Sequence, residues 1–144
     1  MCSPDILAAI PHRPPFLFVD EITAHSEAGA TGRRLLRAEE PHFAGHYPGN
    51  PIMPGVLLCE ATFQVSAFYL VKKLSVTGVD PATLTPVLAR IVESKFKNMV
   101  RPGDTITIEV NFKETMGKFH FLTGKITNQD GKLVLTNEFA LALV

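Results

Sequence analysis

Residues 56–71 read VLLCEATFQVSAFYLV, and this stretch decides the fold. It is apolar on nearly every helical face, without a clean 3.6-residue stripe, so as a helix it must be enclosed on all sides. A membrane span is the rival reading. Glu60 and Gln64 interrupt the run, and its 16 residues fall short of the ~20 a bilayer needs, so a core helix is expected. Lys72 and Lys73 follow it and suit a helix C-terminus, where cations meet the negative end of the macrodipole.

Working outward, the second half of the chain supplies the enclosure. Residues 105–112 alternate strictly, with Ile106, Ile108, Val110 and Phe112 on one face and Thr105, Thr107, Glu109 and Asn111 on the other. That is a half-buried antiparallel strand. Met116-Gly117-Lys118 reads as a hairpin loop into a strand over 120–128. Asp130-Gly131 then reads as a two-residue hairpin into a final strand over 133–144. A further strand is expected over 86–96, and two weaker ones over 16–22 and 32–38. At the start, Ser3 followed by Pro4 and Asp5 looks like a helix cap, and Pro11 closes the short helix. The resulting order, β-β-α-β-β-β-β, wraps a curved antiparallel sheet around one apolar helix. This is the hot-dog arrangement, in the α+β class.

Composition narrows the function. The 144 residues fit one domain, 1–144, and 46% hydrophobic content with 19% charged residues excludes a disordered chain. Lys+Arg 14 balances Asp+Glu 14, so a nucleic-acid binder, which carries an excess of basic charge, is not expected. Two cysteines, Cys2 and Cys59, are too few for a disulfide scaffold, and the opening residues lack a signal-peptide pattern. A soluble cytoplasmic protein is expected.

The segment over 45–64 reads GHYPGNPIMPGVLLCEATFQ. It resembles the β-hydroxyacyl-acyl carrier protein dehydratases, whose signature runs GHFP-x-x-P-x-x-PGVL-x-x-EA-x-x-Q. PHRPPFLFVDEI over 11–22 is similar to the opening strand of that family, and ESKFKNMVRPGDTITIEVNF over 93–112 to its KF…V-x-PGD region. The resemblance implies removal of water from a (3R)-3-hydroxyacyl chain on acyl carrier protein, with His46 and Glu60 as acid–base pair. It also implies a backbone N–H at Gly55 that binds the thioester carbonyl. The family is dimeric, or a trimer of dimers, with the helix glutamate facing the histidine of the other subunit.

Residue chemistry points the same way. Dehydrating a 3-hydroxyacyl thioester removes a weakly acidic α-proton and protonates a poor leaving group, so it needs one base and one acid held in different surroundings. An imidazole in a Gly/Pro-rich loop suits the base, and that is His46. A carboxyl inside an apolar helix has its pKa raised by desolvation and suits the acid, and that is Glu60. Gly55 falls at the helix start, where a free N–H and the dipole favour a developing oxyanion. Gln64, one turn beyond Glu60, either orients that carboxyl or is an ordinary core amide.

His42, His46 and Glu60 imitate a two-His-one-carboxylate metal set, but Gly45, Pro48 and Pro51 argue against the helix that i, i+4 ligation requires. No metal and no cofactor are expected. Cys59 is expected in the core. Phe63 stands where these dehydratases often carry a small residue, and Val87 where they often carry an aromatic tunnel gate, so both are expected along the acyl tunnel. Arg90, Val92 and Asn98-Met99 also depart from the family pattern. Lys95, Lys97 and Arg101 form a local basic cluster suited to docking an acidic carrier. Two other functions stay open: a hot-dog thioesterase or enoyl-coenzyme A hydratase, and a non-catalytic acyl-binding module. Finally, nine residues stiffened by Pro48, Pro51 and Pro54 carry the chain from His46 to Gly55, which favours a site completed by a second protomer.

Overall fold

The computed structural model describes residues 2–144. A short helix α1 (Pro4–Ala9) begins after Ser3 with proline in its first turn. Strands β1 (Glu21–His25) and β2 (Gly29–Leu35) come next, then the long helix α2 (Gly55–Ser75). Four strands complete the fold: β3 (Pro86–Phe96), β4 (Thr105–Met116), β5 (Phe119–Thr127) and β6 (Leu133–Leu143). All six form one sheet in the order β1-β2-β4-β5-β6-β3, every neighbouring pair antiparallel. The expected α+β hot-dog arrangement is the one observed.

The alternation in β4 does what its period requires. Ile106, Ile108 and Val110 are buried against α2, while Thr105, Thr107 and Glu109 are partly exposed on the other face. Helix α2 is buried at Leu58, Cys59 and every residue from 61 to 71. Burying this many apolar side chains is the main stabilising term in the fold, at about 1.5–3 kcal/mol for each large one.

Several expectations need correction. Helix α2 has 21 residues, not 16, and runs on through the two lysines. Their ammonium groups lie over aromatic rings: Lys72 Nζ is 5.5 Å from the centre of Phe68, and Lys73 Nζ is 3.5 Å from that of Phe112. By length alone α2 could therefore cross a membrane, and its enclosure within the fold is what marks it as a core helix. The strand expected over 16–22 begins only at Glu21. Leu17, Phe18 and Val19 are buried but lie in no strand. Together with Ile6 and Ile10 they join the core cluster that includes α2. The chain thus encloses the body of α2 by itself, and a second protomer is not needed to close residues 61–71. Strand β2 also lies earlier than expected, and the β5–β6 loop has three residues, not two. Asn128 N–H donates to Lys132 O, Gly131 N–H donates to Asn128 O, and Gly131 takes φ 77°. This is the three-residue hairpin in which glycine fills the left-handed position.

Candidate active site

The loop between β2 and α2 is held at its root by charge. Arg34 is buried, bonds the Glu40 carboxylate and lies 3.4 Å from Asp20, while Arg37 pairs with Asp20 at 3.0 Å. Glu40 also accepts the Arg37 backbone N–H at 2.6 Å. From this root a single 3₁₀ turn (Pro41–Phe43) leads to His46, whose N–H donates to His42 O at 3.1 Å. Tyr47 follows in the left-handed region at φ 65°, a conformation uncommon for a bulky residue. The reversal ends with Asn50 N–H donating to Tyr47 O at 2.8 Å.

His46 is fixed by the same loop. Its Nδ1 lies 2.6 Å from Ile52 O, and a carbonyl can only accept, so Nδ1 carries the hydrogen. In the neutral form of such a ring the lone pair is on Nε2. His46 lines a cavity of about 410 Å³ with Tyr47, Gly55, Leu58, Phe96 and Lys97. Gly55 is the first residue of α2. The Leu57 and Leu58 N–H groups both donate to Pro54 O, and among the described residues the Gly55 N–H has no partner. A Cβ at Gly55 would stand 2.8 Å from the Phe96 ring, so the absent side chain is what lets that ring pack against the helix start.

Glu60 lies on a different side of α2. Five residues from Gly55 correspond to about 500° of helical rotation, or roughly 140° around the axis. Glu60 is absent from the His46 cavity lining. Its carboxyl sits with Gln64 and His12 instead: Gln64 Nε2 donates to Glu60 Oε1 at 3.1 Å, and His12 Nε2 is 3.6 Å from the same oxygen. Burial pushes the Glu60 pKa up, and the Gln64 hydrogen bond opposes this more weakly. Gln64 is fully buried, and its amide donates to the Glu60 carboxyl.

The chain therefore brings His46 and Gly55 together and sets Glu60 apart with Gln64. His12 was quoted in the sequence only as part of a motif. Its place beside Glu60 is a tertiary contact across 48 residues that no local pattern signals. Phe63 is buried edge-to-face against Phe139, ring centres 4.7 Å apart. Val87 lies at the beginning of β3, whereas Phe96, which flanks Gly55, lies at its end; nine residues of strand span about 30 Å. Lys95 pairs with Glu93 at 3.5 Å on the surface, Lys97 lines the His46 cavity, and Arg101 is exposed. Cys59 is buried with its Sγ 3.6 Å from Ser94 Oγ. His42 turns to Glu40, at 3.9 Å, rather than to Glu60, and burial lowers its pKa. His42, His46 and Glu60 are thus drawn to three different sets of partners. Among the described residues no three His, Cys, Asp or Glu side chains gather as a metal site.

Residues 10–138 match the family model of the FabA-like domain. This chain belongs to the FabA-like family. A 3-hydroxyacyl-acyl-carrier-protein dehydratase FabZ from Clostridium perfringens is 37% identical over 140 residues, which cover 96% of each protein. One of the same name from Chloroflexus aggregans is 48% identical over 111 residues, covering 76% of this chain and 73% of the relative. The dehydratase heterocomplex ApeI:P from Xenorhabdus doucetiae superposes with a TM-score of 0.76, covering 96% of this chain and 90% of its own. At 12% identity that likeness speaks for the hot-dog fold alone. In this FabA-like chain, the matched region spans both the His46 loop and α2.

Proposed function

We propose that this chain removes water from a (3R)-3-hydroxyacyl chain carried on acyl carrier protein, with His46 as base and Glu60 as acid. The dehydratase activity is that of the FabZ relatives, one of which matches 96% of the chain. The roles of the residues rest on geometry. His46 Nε2 takes the α-proton while the Gly55 N–H binds the thioester carbonyl, on which enolate charge gathers. The electron pair then forms the Cα–Cβ double bond as the Cβ–O bond breaks. Glu60 delivers its proton to the departing hydroxyl, and water and the trans-2-enoyl thioester leave. No cofactor takes part.

The single observation that supports this reading is the bond from His46 Nδ1 to Ile52 O, which leaves Nε2 as the uncommitted nitrogen of a ring that lines a cavity shared with the helix start. Desolvation of Glu60 supports the complementary acid.

Because one chain keeps His46 and Glu60 apart, the site we propose is composite, formed at a two-fold homodimer interface. The support is strand β3, an edge of the sheet that exposes Val87, Leu88, Ile91, Val92 and Phe96. Antiparallel pairing of two such strands about Ile91 sets each Val87 beside the other protomer's Lys95, near the His46 cavity. A tunnel-lining role for Val87 is consistent with that arrangement, as is one for Phe63 deeper along α2. A trimer of such dimers would keep the same composite site. Lys95, Lys97 and Arg101 are proposed to receive the acidic carrier, and the whole chain to act as one cytoplasmic domain.

The test follows enoyl absorbance and free thiol together on a 3-hydroxyacyl thioester. Enoyl without thiol is expected. Thiol release alone would indicate a thioesterase and overturn the reading, and neither signal would indicate a binding module. His46→Ala and Glu60→Gln should each lower turnover about 10²–10⁴-fold.

A further inference from the structure

The environment of the Glu60 carboxyl distinguishes its two oxygens. Gln64 Oε1 accepts the Phe18 N–H at 2.8 Å, which fixes the amide so that its NH₂ group faces the other way. That NH₂ group donates to Phe16 O at 3.2 Å and to Glu60 Oε1 at 3.1 Å, so both hydrogens are used. Oε1 is thereby an acceptor, and a proton on this carboxyl belongs on Oε2. His12 Nε2 approaches the same Oε1 at 3.6 Å. Its other nitrogen, Nδ1, is buried without a partner among the described residues. A buried N–H left unpaired costs more than a bare lone pair facing apolar surroundings, and Oε1 offers an acceptor to the opposite nitrogen.

We infer that His12 is a positioning residue for Glu60: its Nε2–H and the Gln64 amide converge on Oε1 and keep the transferable proton on Oε2. This rests on the reading of Glu60 as the acid and deepens it. When Oε2 gives up its proton, the carboxylate gains a negative charge that two N–H donors already face. Hydrogen bonds to a charged group are the stronger kind, so the contact favours the reacting state over the resting one. At 3.6 Å the resting contact is longer than a hydrogen bond, and it shortens as charge develops.

His12 is held in place for this. The Arg13 guanidinium donates to the backbone carbonyls of Leu7, Ile10 and His12 at 2.8, 2.8 and 2.6 Å, tying the end of α1 to the residue that faces Glu60. Burial and the neighbouring Arg13 both lower the His12 pKa, which favours the neutral ring with one N–H to place. The groups facing the carboxyl are thus Gln64 from its own helix and His12 from the N-terminal segment, with Arg13 behind. The two histidines around the proposed chemistry are opposite tautomers: His46 is protonated on Nδ1 and His12 on Nε2.

The test has two parts. Nitrogen-15 NMR of the wild-type protein should find His12 with a protonated Nε2 and a bare Nδ1; the reverse tautomer overturns the inference. Kinetically, His12→Ala should lower kcat about tenfold with KM changed less than about twofold. His12→Gln, whose amide reaches where Nε2 sits, should recover most of the loss, and His12→Asn, which reaches only to Nδ1, should not. Unchanged kcat in His12→Ala, or equal rescue by Asn and Gln, overturns the inference. Full turnover in Glu60→Gln would instead defeat the acid assignment, and the His12 tautomer is read independently of it.

Discussion

The sheet has two edges, and they are built in opposite ways. Strand β1 is five residues long, has one bulge, and carries Glu21, Thr23 and His25 among its side chains. Such an edge is short and polar, and resists pairing with another chain. Strand β3 is 11 residues long and exposes five large apolar side chains. It too is bulged, at two places against β6, yet the bulges do not remove its apolar surface. The contrast teaches that the protein guards one edge and leaves the other open and apolar, as the proposed dimer requires. The open edge ends at Phe96, against Gly55 and the His46 cavity, so the place where a second chain would pair adjoins the proposed chemistry.

The largest effect should come from mixing dead proteins. His46→Ala and Glu60→Gln should each be nearly inactive, but co-refolded together they should regain roughly a quarter of wild-type activity under random pairing, because half the dimers are mixed and each has one intact site. A mixture that stays dead would put both residues in one chain's site and remove the catalytic meaning of the β3 edge. Next in size, Ile91→Lys in the middle of β3 should convert dimer to monomer by light scattering and lower activity about a hundredfold. Thr23→Lys on β1 should do neither, and an equal response of both edges would break the comparison. Smaller still, neutralising Lys95 near the end of β3 and Arg101 beyond it should reduce use of carrier-bound substrate several-fold and flatten its salt dependence. Turnover of a small uncharged thioester should stay unchanged, and equal losses on both substrates would make the pair structural.

The smallest effect is on stability. The raised pKa of Glu60 means the folded protein holds that proton more tightly than the unfolded chain. Its stability contribution is therefore fully present below the ordinary glutamate range and declines as pH rises towards the folded value. Glu60→Gln escapes that penalty. It should melt a few degrees above wild type at pH 8, with the gap closing as pH falls below 4. A gap independent of pH would mean that the carboxyl is not the cause.

The elements with an unambiguous period were legible in the sequence. Strand β3 falls where it was expected, though it is exposed along nearly its whole length and shows no such period, whereas the faces of β4 follow their alternation because a strand with one buried face leaves its pattern in the residues. The buried run Leu17-Phe18-Val19 was not legible. An apolar stretch reads alike whether it pairs in a sheet or covers a helix, and here Gln64 captures the Phe18 N–H. The lysines do lie in the last turn of α2, as their charge suggests, but the helix runs two residues past them and starts one before the apolar run, so its length is greater than the run alone implies. In the candidate site, the types and spacing of His46, Gly55 and Glu60 were visible. The separation of His46 from Glu60 and the approach of His12 depend on where a helix turns and where a distant segment returns, which no spacing records.

The position of β3 also bears on how the chain is made. Its partner in the sheet is β6, the last strand in sequence, not β4, the next one. As the polypeptide emerges, β3 is complete at Phe96 but its neighbour begins only at Leu133. The most apolar edge of the molecule must therefore wait through the synthesis of β4 and β5 with neither of its sides paired. Non-local pairing of this kind slows folding and lengthens the exposure of a sticky strand. The newborn chain is consequently most prone to aggregate just before β6 appears, and a chaperone that shields residues 86–96 would raise the yield of folded protein.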